Sequence, residues 1–183
     1  MTRQLGSYLA EAGRPADAIT LLEPVTAADG SDLESLNSLG IAYARAGNTA
    51  RAAATFERVL KQNPADVQAL ENVGTLAMQR HDVAAATKAL KRAVEINPGS
   101  ARAHNGLGVI AMKSGRRDEA FAEWKQAVAL APHDYDALFN LATELDAAGR
   151  HDEARPYLAR FAAEAPPAQY AEDVARAKRL LAR

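Results

Sequence analysis

LESLNSLGIAYARAGNTARAAATFERVLKQNPAD, residues 33–66, is one complete copy of a unit that recurs along the whole chain. Two stretches with helical spacing, 33–46 and 49–62, flank Gly47, and Pro64 closes the second. Stepping outward by 34 residues finds the same landmarks each time. Alanine stands at 18, 52, 86, 120 and 154, and proline at 64, 98, 132 and 166. Glycine stands at 6, 40, 74 and 108, with Ala142 in the fifth place. A second glycine series runs through 13, 47, 115 and 149, with His81 filling its gap. Several independent residue types sharing one period is the signature of a repeat architecture.

Each series has its own physical reason. Glycine inside a helix is unfavourable by about 1 kcal/mol against alanine, so the Gly6 series marks places where a neighbouring helix passes close. The Ala18 series reads as the small residue at the tightest packing point of the second helix. The Gly13 series sits between helices, where a left-handed residue closes the first one, and His81 is a weaker substitute there. The prolines end each second helix and stiffen the link onward. Between landmarks the apolar residues lie three and four apart: Leu70, Val73, Ala77 and Ala86, Leu90, Ala93 in the third repeat. In the fourth, Leu107 and Ala111 pair with Ala120, Trp124 and Ala127.

This predicts an all-α chain with helices over 2–12, 15–27, 33–46, 49–62, 67–80, 83–96, 101–114, 117–130, 135–148 and 151–164, and a last one over 168–182. The repeats span about 1–32, 33–66, 67–100, 101–134 and 135–168, in one array over 1–183. Pro15 and, as an N-cap, Thr49 signal helix starts. Pro24 should kink its helix or end it early, while Pro156 lies near a helix start, where it is better tolerated.

Composition agrees with a helical chain of modest electrostatic reach. Hydrophobic residues make up 48% of the chain and aromatics only 5%, so alanine-lined helices must supply the core. Lys and Arg total 22 against 23 Asp and Glu, a net charge of -1, which gives no long-range attraction for phosphate backbones. There is no cysteine, hence no disulfide and no thiolate chemistry. No apolar run approaches a bilayer span. Neither nucleic acid nor a membrane is an expected partner. The chain begins inside a helix, as a piece of a longer protein would. The expected compartment is the cytoplasm, or the periplasm for such a piece.

The second repeat carries Leu39, Gly40, Tyr43, Ala52, Phe56 and Pro64. The fourth carries Leu107, Gly108, Ala120, Ala127 and Pro132, with Trp124 as its second-helix aromatic. This L-G-x2-Y, A-x3-F, P pattern resembles the tetratricopeptide repeat over residues 3–166. The tryptophan that opens the ideal motif is replaced by Thr2, Leu36, Leu70, His104 and Leu138. The last helix has an apolar stripe, Tyr170, Val174, Ala177 and Leu181, and a charged face, which resembles a solenoid cap.

The resemblance implies a right-handed superhelical solenoid of helix pairs whose first helices line a concave groove for a peptide or protein segment. Carried over position by position, that lining includes Asn37, Ile41, Arg45, Glu71, Asn72, Thr75 and Met78. It continues with Arg102, Asn105, Val109, Met112, Lys113, Phe139 and Asn140, and also takes in Arg3, Ser7, Asp136, Thr143 and Asp146. Ile41, Met78, Val109, Met112 and Phe139 form an apolar floor in which methionine adapts to varied side chains. The asparagines suit an extended backbone, although asparagine on a helix face is often merely solvated. In chaperone-tail clamps Lys, Asn and Arg grip a carboxylate. Here Asn72 and Arg102 match parts of one, but Asn37, Ile41 and Gly106 break it and Glu71 would repel the ligand.

No metal, cofactor or catalytic residue is expected. The histidines, His81, His104, His133 and His151, lack ligand spacing. His104 takes a consensus aromatic position and should be packed, and His151 should lie in a turn. Phosphate loops, dinucleotide fingerprints and serine elbows do not occur. The expected function is a non-catalytic protein-interaction module. The alternatives are an accessory region of a larger bacterial enzyme, sulfatase-like or other, and a self-assembling scaffold that forms homo-oligomers.

Overall fold

The computed structural model describes residues 2–183. Among these, all regular structure is helical. The first helices of the pairs are α1 (Thr2–Glu11), α3 (Leu33–Arg45), α5 (Val67–Gln79), α7 (Ala101–Lys113) and α9 (Tyr135–Ala147). The second helices are α2 (Pro15–Ala28), α4 (Thr49–Gln62), α6 (Val83–Ile96), α8 (Arg117–Leu130) and α10 (His151–Glu164). A further helix, α11, spans Pro167–Leu181.

The helices start on caps with the period of the repeat. Asp32, Asp66, Ser100 and Asp134 precede α3, α5, α7 and α9, and their side chains accept from the backbone N–H three residues on, at 3.2, 2.9, 3.0 and 3.0 Å. Such caps are worth about 1 kcal/mol each. The cap of α4 is Asn48, which accepts from Arg51 N, and Thr49 is the first helical residue instead of the cap. Asparagine outranks threonine there because its carbonyl reaches the orphan N–H groups more readily. His151 likewise opens α10 instead of lying in the turn.

Between paired helices the chain turns through the left-handed region at Gly13, Gly47, Gly115 and Gly149, with φ of 74–77°. His81 is forced into the same region at φ 59°. Helix α2 continues to Ala28, four residues past Pro24. Buried Leu22 and Thr26 anchor its last turns, and the Thr26 hydroxyl donates to the Leu22 carbonyl at 3.0 Å. Tertiary burial thus outweighs the hydrogen bond that the proline removes.

The core follows a simple rule. The glycine of each first helix lies against a large side chain sixteen positions on: Gly6 on Leu22, Gly40 on Phe56, Gly74 on Leu90 and Gly108 on Trp124. A Cβ on any of these glycines would come within 2.5–2.6 Å of that side chain. Ala18, Ala52, Ala86, Ala120 and Ala154 are all fully buried.

Contacts group into two units, Met1–Pro98 and Gly99–Arg183. In the first, each helix packs on its chain neighbour, α1 also meets α3, and α3 meets α5. Leu22, Leu36, Phe56 and Val59 lie at its centre. In the second, α7 to α11 pack in sequence, and α11 also touches α9. Its core gathers Trp124, Leu138, Leu141, Leu158 and Phe161, with Ala177 of α11 fully buried against them.

Candidate functional site

The first-helix residues singled out from the sequence divide between the two units. In the first unit Asn37 is buried, and its Nδ2 donates to Oδ1 of the cap Asp66 at 3.2 Å. The Arg45 guanidinium donates to the carbonyls of Ala10 and, at 2.6 Å, Glu11. It thereby serves the orphan acceptors at the end of α1. Asn72 is buried as well. Thr75 bonds back to the Glu71 carbonyl at 2.9 Å. Ile41 and Met78 remain half-buried. Ser7 and Ser38 share a hydrogen bond of 2.8 Å, and Arg3 pairs with the cap Asp32 at 3.0 Å.

In the second unit, Asn105 Oδ1 accepts from Trp124 Nε1 at 3.1 Å. Val109 and Met112 lean on the core while staying half-exposed, and Arg102 and Lys113 are exposed. Asn140 is half-buried. Phe139 is already engaged: its ring centroid lies 4.7 Å from that of Phe161, and the Arg176 guanidinium of α11 sits 5.6 Å from its own. The Tyr170 hydroxyl donates to Asp136 at 3.0 Å. Burial, reinforced by this bond, pushes the Tyr170 phenol up to about 12. Helix α11 therefore covers part of the first-helix face of α9, as a capping helix does.

Aligning the repeats brings out what the sequence reading missed. Ala44, Met78 and Met112 occupy one register position, and Ile41, Thr75 and Val109 another. The fifth repeat breaks both rows, because Thr143 is buried and Asp146 bonds to His151 at 2.8 Å. The 34-residue period of the rows was the available signal for Ala44. The coverage of Phe139 had no such signal, since α11 stands outside the repeats.

A second recurring cluster joins successive second helices. In the first unit the Tyr43 hydroxyl donates to Glu23, Arg51 pairs with Glu23 at 3.3 Å, and the Arg51 guanidinium sits 5.6 Å from the Tyr43 ring centroid. Burial, then the Glu23 carboxylate, raises the Tyr43 phenol above its ordinary value. In the second unit the same positions carry reversed charges, and Lys125 pairs with Glu153 at 3.2 Å. Arg150, held to Glu153 at 2.7 Å, lies 5.0 Å from the Phe121 ring centroid. Hydrogen bonds from Arg150 and then Lys125 lower the Glu153 carboxyl.

His104 is packed, sharing a 2.7 Å hydrogen bond with Glu123. Among the described residues, no group of three or more His, Asp or Glu is placed to hold a metal ion. Among the same residues, no helix is long and apolar enough to cross a membrane.

The family model for the tetratricopeptide repeat matches residues 3–67, 38–101, 72–124 and 105–169. Among solved structures, TTC0263, a thermophilic TPR protein in Thermus thermophilus, is 25% identical with a TM-score of 0.81, over 100% of this chain and 98% of that one. MamA AMB-1 is 32% identical with a TM-score of 0.64, over 87% of this chain and 94% of that one. PilF of Pseudomonas aeruginosa has a TM-score of 0.82 at 17% identity, over 99% and 86% of the two chains, a likeness of fold alone. No curated protein matches the chain.

Proposed function

Because the chain belongs to the tetratricopeptide repeat family, whose members mediate protein–protein interactions, we propose that its first helices hold a peptide segment of a partner protein and that it performs no catalysis of its own. One observation carries this reading. In the second, third and fourth repeats the same two register positions present half-buried side chains, apolar at all but Thr75: Ile41, Ala44 and Met78 in the first unit and Val109 and Met112 in the second. Positions facing the paired helix are buried. Apolar side chains left half in water at a repeated position suit a ligand that covers them. Methionine lets one surface accept different residues.

Asn37, Arg45 and Asn105 contribute indirectly, since within their own units they hold a cap, a helix end and Trp124 in place. Phe139 lies under the Arg176 guanidinium, so a ligand stacking on that side of the ring must displace the Arg176 side chain. The direct test is a photo-cross-linking residue placed at Met78, Met112 or, as control, exposed Lys91. Capture of one common partner from Met78 and Met112, but not from Lys91, supports the reading. Capture from Lys91 alone rejects it. Met112→Glu should weaken the captured partner tenfold or more, roughly 1.4 kcal/mol.

A second reading rests on α1. Leu5 and Tyr8 are 48% and 66% exposed, whereas their register mates Leu39 and Ala42 are 3% and 0% exposed. In a self-assembling scaffold, a helix of a second copy would cover this face. Light scattering should then show a mass that rises with concentration in the wild type and not in Tyr8→Glu. A constant monomer mass removes this reading.

A further inference from the structure

A crevice of about 150 Å³ opens between α4, α5 and α6, lined by Ala53, Val73, Leu76, Ala77 and Ala85 with Glu57, Arg80 and Asp82 at its rim. It lies apart from the residues proposed to hold a peptide. The repeat register explains why it is empty. Three register positions around this space carry alanine together only here. Ala53 corresponds to Ile19, Thr87 and Phe121, Ala77 to Tyr43, Ala111 and Leu145, and Ala85 to Arg51, Glu119 and Glu153. In the first pair of repeats, Tyr43 occupies the slot and its hydroxyl meets Glu23. Glu57 is the register mate of Glu23, so the carboxylate that receives the phenol is retained while the phenol is gone.

We propose that this crevice is a docking slot for a tyrosine side chain of a protein partner. The chain itself supplies the precedent: the same interface, one repeat earlier, is completed by a tyrosine. The ring would lie against Ala53, Val73, Leu76 and Ala77, and the hydroxyl would donate to Glu57. The size fits, since an apolar cavity of about this volume takes up a benzene ring. A carboxylate acceptor at the rim favours a phenol over a plain aromatic ring, because a hydrogen bond to a charged group is stronger than one between neutral groups. A buried aromatic anchor in a pre-formed pocket is also the usual centre of a protein interface.

The probes are p-cresol, which is the tyrosine side chain as a free molecule, N-acetyl-tyrosinamide, which carries it on a backbone, and toluene, which lacks the hydroxyl. Methyl NMR of the full chain reads the alanines directly. Saturable shifts at Ala53, Ala77 and Ala85 are expected with p-cresol and N-acetyl-tyrosinamide, at a Kd on the order of 1 mM. Toluene should bind several-fold more weakly, and Glu57→Gln should narrow that difference. Ala77→Tyr and, separately, Ala53→Phe fill the slot from within and should abolish the shifts. Tyr43→Ala should open a second p-cresol site beside Glu23.

The absence of saturable shifts in the wild type overturns the proposal. So does binding that survives in a folded Ala77→Tyr or Ala53→Phe. Binding of p-cresol without N-acetyl-tyrosinamide also overturns it, since the slot would then take only free phenols.

Discussion

At the scale of single residues, conformation and close approach set the effects of substitution. His81 does with a side chain what glycine does at the four equivalent turns, at φ 59°. A left-handed residue with a Cβ is disfavoured by about 1–2 kcal/mol. His81→Gly should therefore stabilise the protein by roughly 1 kcal/mol and raise its melting temperature by about 2–4 °C, read by circular dichroism. Gly108→Ala should do the opposite. It gains about 1 kcal/mol of helix propensity but places a Cβ 2.6 Å from the Trp124 ring. Overpacking of that kind costs about 1–3 kcal/mol. A net loss of about 1 kcal/mol is expected, with altered Trp124 fluorescence as the ring leaves Asn105. Asp66→Ala removes a cap and strands the buried amide of Asn37. Together these should lower stability by about 2–3 kcal/mol in a denaturant titration.

At the scale of helices, the landmarks that repeat are those whose geometry is local. A glycine that must turn left-handed, a proline that must end a helix and an alanine that must fit between helices each announce themselves in the chain. Each helix boundary consequently falls within one residue of its sequence expectation. Contacts made across repeats are less legible. Nothing local to Asn37 says that its amide reaches Asp66, and nothing local to Arg45 says that it serves the carbonyl of Glu11. These fates depend on the geometry that joins one repeat to the next. Helix α11 offers a test of such a contact. The Tyr170 phenol, ordinarily at 10.0, stands at about 12 when α11 is docked. Docking thus favours the neutral phenol. The resulting stability is whole below pH 10 and is lost as the pH climbs through about 12. Ultraviolet titration should show a late-ionising tyrosine that disappears in Tyr170→Phe, and α11 should loosen over the same alkaline range.

At the scale of the molecule, each unit is built from nearest-neighbour contacts, so stability should pass along it from helix to helix. Ala177 is fully buried where α11 packs on the rest of the second unit. Ala177→Glu should release α11 and raise hydrogen exchange in α10 and α9 first and in α7 least. Equal loss of protection across α7 to α10 would mean that the unit melts all at once. The reversed ion pairs, Glu23 with Arg51 and Lys125 with Glu153, matter in another way. A polypeptide made of near-copies risks docking its modules in the wrong order while it folds. With both pairs in one polarity, such a shuffled assembly would look electrostatically correct. As they stand, a module carrying Glu23 meets Glu153 if it stacks where Lys125 belongs, and the two carboxylates repel. The reversal therefore acts as a weak address label: at these exposed positions, where water screens the charges, it disfavours a misassembled isomer only slightly.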